Sequence, residues 1–245
     1  MTKLFSLSAI ALLTGLSTAA SAASLDVHGE IKINGKTVID DKGNLIQDQS
    51  DLINIDDYTN ATPNRVVTLV APNLENGYTR TYKFYYDETG RQSKEELLVN
   101  SKIMWLTEWT DRTTTPLANK KTTISYSYEN GTTSEFKVVS KNVFSTSSGY
   151  PLAKMGIDMS RADIYTSTIL ESTDQEAIGQ VTQATEYDTL SVIDKVSVKM
   201  ENTVIEDCIV VRQGGSWMTQ GDQIRTYCKD YGLVQFDDFK VQSAE

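Results

Sequence analysis

The chain is poor in the residues that most enzymes use for proton transfer and metal binding. Its only histidine is His28, which leaves a serine or cysteine nucleophile a single possible imidazole base, in an N-terminal segment. No glycine-x-serine-x-glycine elbow, phosphate-cradling glycine loop or dinucleotide fingerprint occurs. One histidine and two cysteines are too few soft ligands for a zinc site. The sequence therefore assigns no catalytic residue, no metal ligand and no cofactor, and His28 reads as an exposed strand residue. Positive charge is also scarce. The 23 lysines and arginines are scattered against 33 acids, for a net charge of −10. Nucleic acid, which needs a basic footprint, is excluded as a partner, and anionic polysaccharides or membrane surfaces are disfavoured.

Long apolar runs are missing except at the N-terminus. There Lys3 precedes an apolar stretch from Leu4 to Leu16 and small residues from Ser17 to Ser24, the tripartite order of a secretory signal. The stretch is shorter than the ~20 residues that span a bilayer. Ala20-Ser21-Ala22 predicts cleavage after Ala22. A buried core helix is the alternative, and it would need a polar face that this run lacks. No cysteine near the cleavage point marks a lipoprotein, and Ser243-Ala244-Glu245 is no anchor tail. The expectation is a bacterial protein exported to the periplasm or beyond, without a membrane span.

Export changes the reading of Cys208 and Cys228. An even cysteine count in an oxidising compartment predicts a disulfide, the alternative being two buried thiols. Cys208 shares a strand face with Val204 and Val210, and Cys228 with Ile224 and Thr226. Pairing the cysteines directly therefore gives an in-register hairpin with one consistent apolar side. A bridge between strands that are not hairpin partners stays open, because direct cross-strand bridges are strained.

The remaining pattern has period two, the mark of antiparallel strands. Leu25, Val27, Ile31 and Ile33 alternate with polar residues before Asn34-Gly35 and Val38-Ile39, a hairpin signal. This gives four segments: a signal peptide over 1–22, an N-terminal β-meander over 23–46, an acidic loop or linker over 47–64, and a main antiparallel β domain over 65–245. In the acidic segment Asp48, Asp51, Asp56 and Asp57 fail the twelve-residue calcium template. A short helix is expected over Ser93 to Val99, and "QEAIGQVTQA" reads as a short helix or a strand. Between Ile124 and Val138 a three-residue loop, Glu129-Asn130-Gly131, pairs Ile124 with Phe136 and keeps one apolar face.

The N-terminal "GEIKINGKTVIDDKGNLI" resembles short meanders of bacterial surface and phage fibre proteins. "EDCIVV" followed by "TYCKDYGLVQF" resembles the C-terminal part of uncharacterised periplasmic proteins with a sheet related to the lipoprotein-carrier half-barrel, with Asp207-Cys208, Tyr227 and Gly232-Leu233-Val234 in the matching places. Cys228 departs from that pattern. The resemblance implies a strongly curved antiparallel sheet, half-barrel or sandwich-like, cupping an apolar ligand, and no catalytic residues. The expected fold is thus mainly β with one or two short helices.

Aromatic side chains supply the candidate binding residues. Trp105, Trp109, Tyr82 and Tyr86 alternate on their strands and stack on sugars or line an apolar cup; their alternative role is to fill the core. Trp217 lies in a glycine-rich loop and is a surface candidate. Glu108 and Asp111 are the best carboxylate pair near tryptophan, but on a strand they point to opposite faces. Three functions follow: an exported non-enzymatic protein binding an apolar or glycan ligand or a protein partner, a cell-surface structural protein, or a carbohydrate-active enzyme. An outer-membrane barrel ranks behind them, because alternation leaves many hydroxyl and charged positions. The sequence names no ligand, partner or oligomeric state.

Overall fold

A computed structural model describes residues 29–33, 36–39, 41–43, 52–71, 77–129, 132–147, 152–201, 203–216, 218 and 221–245. The predicted signal, His28, the Asn34-Gly35 and Asn130-Gly131 turns and Trp217 lie outside the described residues. The chain divides into two compact units, residues 1–50 and 51–245. In the first, β1 (Ile31–Ile33) pairs antiparallel with β2 (Lys36–Ile39), and Ile33 opposite Lys36 leaves the two residues between them that an Asn-Gly hairpin requires.

The second unit begins with β3 (Leu52–Ile53), which pairs with β10 (Ala153–Lys154), and a single helical turn, α1 (Asp56–Thr59). Twelve strands then close into one antiparallel barrel. They are β4 (Val66–Ala71), β5 (Arg80–Tyr86), β6 (Gln92–Val99), β7 (Lys102–Thr114), β8 (Leu117–Glu129), β9 (Thr132–Ser147), β11 (Asp158–Ser172), β12 (Val181–Met200), β13 (Thr203–Gly215), β14 (Gln223–Cys228), β15 (Gly232–Phe236) and β16 (Phe239–Ala244). β16 pairs with β4 and closes the ring. The mainly β expectation holds, and closure replaces the half-barrel or sandwich. A closed ladder leaves no edge strand, so every barrel strand finds partners on both sides.

Directly opposed residues share a face, so the inner wall can be traced strand by strand. One row runs Val241, Leu69, Tyr82, Leu97, Trp105 and Ser125; the next runs Val67, Phe84, Glu95, Thr107 and Thr123. Ile103 leaves this face. A bulge in β7 puts Ile103 opposite Leu98 while Trp105 stands opposite Leu97. On the outer wall, Lys83 faces Glu96 and Lys120 faces Lys141.

Three local expectations are corrected. Residues 93–99 belong to β6, because β5 and β7 offer ladders on both sides, and tertiary pairing outweighs the helix propensity of Lys, Glu and Leu. Lys94 and Glu96, two apart, meet on the outer face as an ion pair, while Glu95 and Leu97 turn inward. The β8–β9 hairpin has a two-residue connection: Glu129 opposes Thr132, so Phe136 opposes Ser125, and Ile124 opposes Lys137. The assumption of one buried face fails at this hairpin end. Phe136 is 50% exposed, and Tyr128 is held outside by donating from Oη to the Ile103 carbonyl at 2.7 Å, under the Lys102 ammonium. Residues 52–64 are no solvated acidic loop, since Ile53, Ile55, Tyr58 and Ala61 are buried in the core. The "QEAIGQVTQA" segment contains a 3-10 turn, Gln175–Ala177, before β12 begins at Val181.

The disulfide joins Cys208 to Cys228, which are direct cross-strand partners. The face they share with Val210 and Thr226 is the outer wall, whereas Ile209, Val211, Arg225 and Tyr227 form the inner one. Both cysteines are nevertheless fully buried. Beside them in the ladder, Val196 lies opposite Cys208 and Val198 opposite Ile205, and both valines pack on the core.

Candidate functional site

Inside the barrel is a cavity of about 670 Å3. Its aromatic wall is built by β5 and β15, where alternation turns Tyr82, Phe84 and Phe236 inward. The Tyr82 ring stacks on Phe84 at 5.7 Å and meets Phe236 and Phe239 edge-on at 5.1 and 4.9 Å. Trp105 adds a half-buried indole to the lining. Edge and stacked contacts of this kind fix ring orientation as well as burying area.

Polar side chains complete the lining, with Arg225 beside Phe236 and Glu95 beside Phe84 in the ladder. Arg225 donates from Nη2 to Gln223 Oε1 at 2.7 Å, and its guanidinium lies 5.9 Å from the centre of the Phe236 ring. Tyr227 donates from Oη to Gln213 Oε1 at 3.3 Å. Arg161 donates from Nε to Asp188 at 2.8 Å, an ion pair whose carboxylate is buried. Glu95 accepts from Gln92 Nε2 at 3.0 Å. Burial raises the Glu95 carboxyl above its ordinary range, against the opposing pull of Gln92, Lys121 and Arg225. Guanidinium, amide and carboxyl groups thus surround an aromatic floor.

α1 and the residues after it carry Asp56, Thr59 and Asn60 into the lining. This segment is anchored at several points. Tyr58 donates from Oη to Asp207 at 2.8 Å, and burial followed by that bond pushes its phenol up to about 12. The Ala61 N–H donates to the Gly90 carbonyl at 2.9 Å and the Thr62 N–H to the Asp230 carbonyl at 2.8 Å. A side chain at Gly90, whose φ is +78°, would collide with the Ala61 carbonyl.

Of the aromatic residues singled out from sequence, Tyr82, Tyr86 and Trp105 line this one cavity. Tyr86 is nearly buried, and its Oη accepts from the Leu233 N–H at 3.1 Å, tying β5 to β15. Trp109 shares the inner face and stands opposite Lys121, outside the cavity lining. Glu108 opposes Lys94 and Thr122 on the outer wall, away from the cavity. Sequence reasoning missed Glu95, Arg225, Gln213 and Gln223. Arg225 and Tyr227 alternate with Ile224 and Thr226, a signal that marks two faces of the strand without showing that the polar one turns inward.

Among the described residues no group of histidine, cysteine or acidic side chains is placed to hold a metal ion, and no helix is long and apolar enough to cross a membrane. No protein-family model, no curated protein and no solved structure matches the chain. The lipoprotein-carrier resemblance rests on the residues quoted for it.

Proposed function

We propose that this chain is an exported, non-enzymatic binding protein that holds a small saccharide inside its barrel. The observation that carries the reading is the composition of the cavity wall. Tyr82, Trp105 and Phe236 offer flat apolar faces of the kind that stack on the C–H face of a sugar ring. In the same lining, Gln213, Gln223, Arg225 and Glu95 supply planar groups that exchange hydrogen bonds with hydroxyls. A wholly apolar ligand fits less well, because it would strip water from these groups at roughly 1–3 kcal/mol for each one left unsatisfied. The outer wall supports a barrel in water. Lys83, Lys94, Lys120 and Lys141 lie on it within strands, and a lysine facing lipid at mid-depth costs about 2–4 kcal/mol.

Native mass spectrometry of gently purified full-length protein, alone and with a panel of neutral disaccharides, tests the proposal. A saturable one-to-one adduct is expected. A bare mass under every condition, with no retained or added ligand, would refute it.

A further inference from the structure

A second site lies on the outside of the barrel, independent of the cavity. The end of β12 reaches across from its own place in the ladder to touch β16, four strands away. Between it and the outer faces of β13 to β16 is a groove of about 450 Å3. Its walls are Val196, Val198, Val210 and Ile224, over a floor that includes the fully buried Val234. Ile224, 49% exposed, forms an open wall of this groove.

Charge and hydrogen bonding select the occupant. The lining contains Lys199 and Lys240 and no acid, although acids outnumber bases in the chain by 33 to 23. Both lysines are exposed and make no ion pair among the described residues. The floor strands β13 to β16 are hydrogen-bonded on both sides within the closed ladder, so the floor has no backbone groups to give a peptide. A peptide there would bury its own amides unpartnered, whereas an acyl chain has none to bury. We infer that this groove binds a single medium-length acyl chain, with its carboxylate held by Lys199 and Lys240.

The experiment is calorimetric titration of the full chain with dodecanoate below its micelle concentration. It is repeated with decanoate, with dodecanol, with the variant K199E/K240E and with the cavity variant W105A. Dodecanoate is expected to bind once per chain. Decanoate should bind about fifteenfold more weakly, from ~0.8 kcal/mol for each of two methylenes. The charge-reversed variant should lose about tenfold, dodecanol should bind more weakly than dodecanoate, and W105A should leave dodecanoate binding unchanged. No binding to the native chain overturns the inference, as does unaltered binding to K199E/K240E or equal binding of dodecanol. Loss on W105A alone would move the acyl chain into the cavity and also overturn it. Because the lysines lie outside the barrel, failure here leaves the saccharide reading of the cavity standing.

Discussion

Removing the Cys208–Cys228 bridge should destabilise the barrel by an amount that can be worked out in advance. The bridge closes a stretch with a sequence separation of 20, and the chain-entropy relation for a loop of that size gives about 11 cal/mol/K, or ~3 kcal/mol at 25 °C. In the variant C208A/C228A two fully buried sulfur atoms also disappear, adding ~1 kcal/mol each in lost packing. The expected total is roughly 4–5 kcal/mol, or about 8–20 °C in Tm for a domain of this size. Urea titration followed by circular dichroism measures the loss, and native chain unfolded in reductant isolates the ~3 kcal/mol entropic part. Because both cysteines are fully buried, reductant should act only after the structure around them opens. If substitution and reduction each change stability by less than ~1 kcal/mol, the bridge contributes little of the loop-closure stabilisation calculated for it.

Glu95 makes the barrel sensitive to pH. Burial raises its pKa in the folded state, so the folded chain holds this proton more tightly than the unfolded chain does. The stability contribution is therefore complete below the ordinary glutamate value and is lost as pH rises through the raised one. The variant E95Q should be more stable than the native chain at pH 7 and should flatten that part of the profile, read by thermal unfolding between pH 4 and 8; a native-like slope in E95Q would remove Glu95 as its source. Gly232 has φ +73°, and a Cβ there would collide with the Tyr86 hydroxyl, so G232A should cost ~2–4 kcal/mol through strain and displacement of the Tyr86–Leu233 bond. A loss under ~1 kcal/mol in urea titration would show that Tyr86 can move aside.

Period-two alternation was enough to read β5, β7, β13 and β14 as strands, and it brought Cys208 opposite Cys228 because the faces of two separate segments agreed. It did not show which face is inward. The apolar face of Ile224, Thr226 and Cys228 lies outside, where the end of β12 approaches it to form a groove, and that approach joins elements four strands apart in the ladder. The same gap hid the cavity. Arg225 and Glu95 look like solvent-facing residues until the ladder closes around them, and closure depends on β16 meeting β4, a pairing no local pattern carries. In β6, Ser93-Lys94-Glu95-Glu96-Leu97 favours a helix locally, whereas its ladders on either side favour a strand. At the tip of β8 and β9, apolar residues on both faces defeated a register argument that assumed one.

The central claim is that the barrel interior is a saccharide site, and its most direct measurement is a calorimetric titration of native chain and W105A with one neutral disaccharide that forms an adduct. Trp105 is half-buried in the lining, and loss of a stacking indole is worth ~0.5–1.5 kcal/mol, so W105A should bind about two- to twelvefold more weakly while keeping its unfolding midpoint near native. Equal affinities in a folded W105A would contradict the claim.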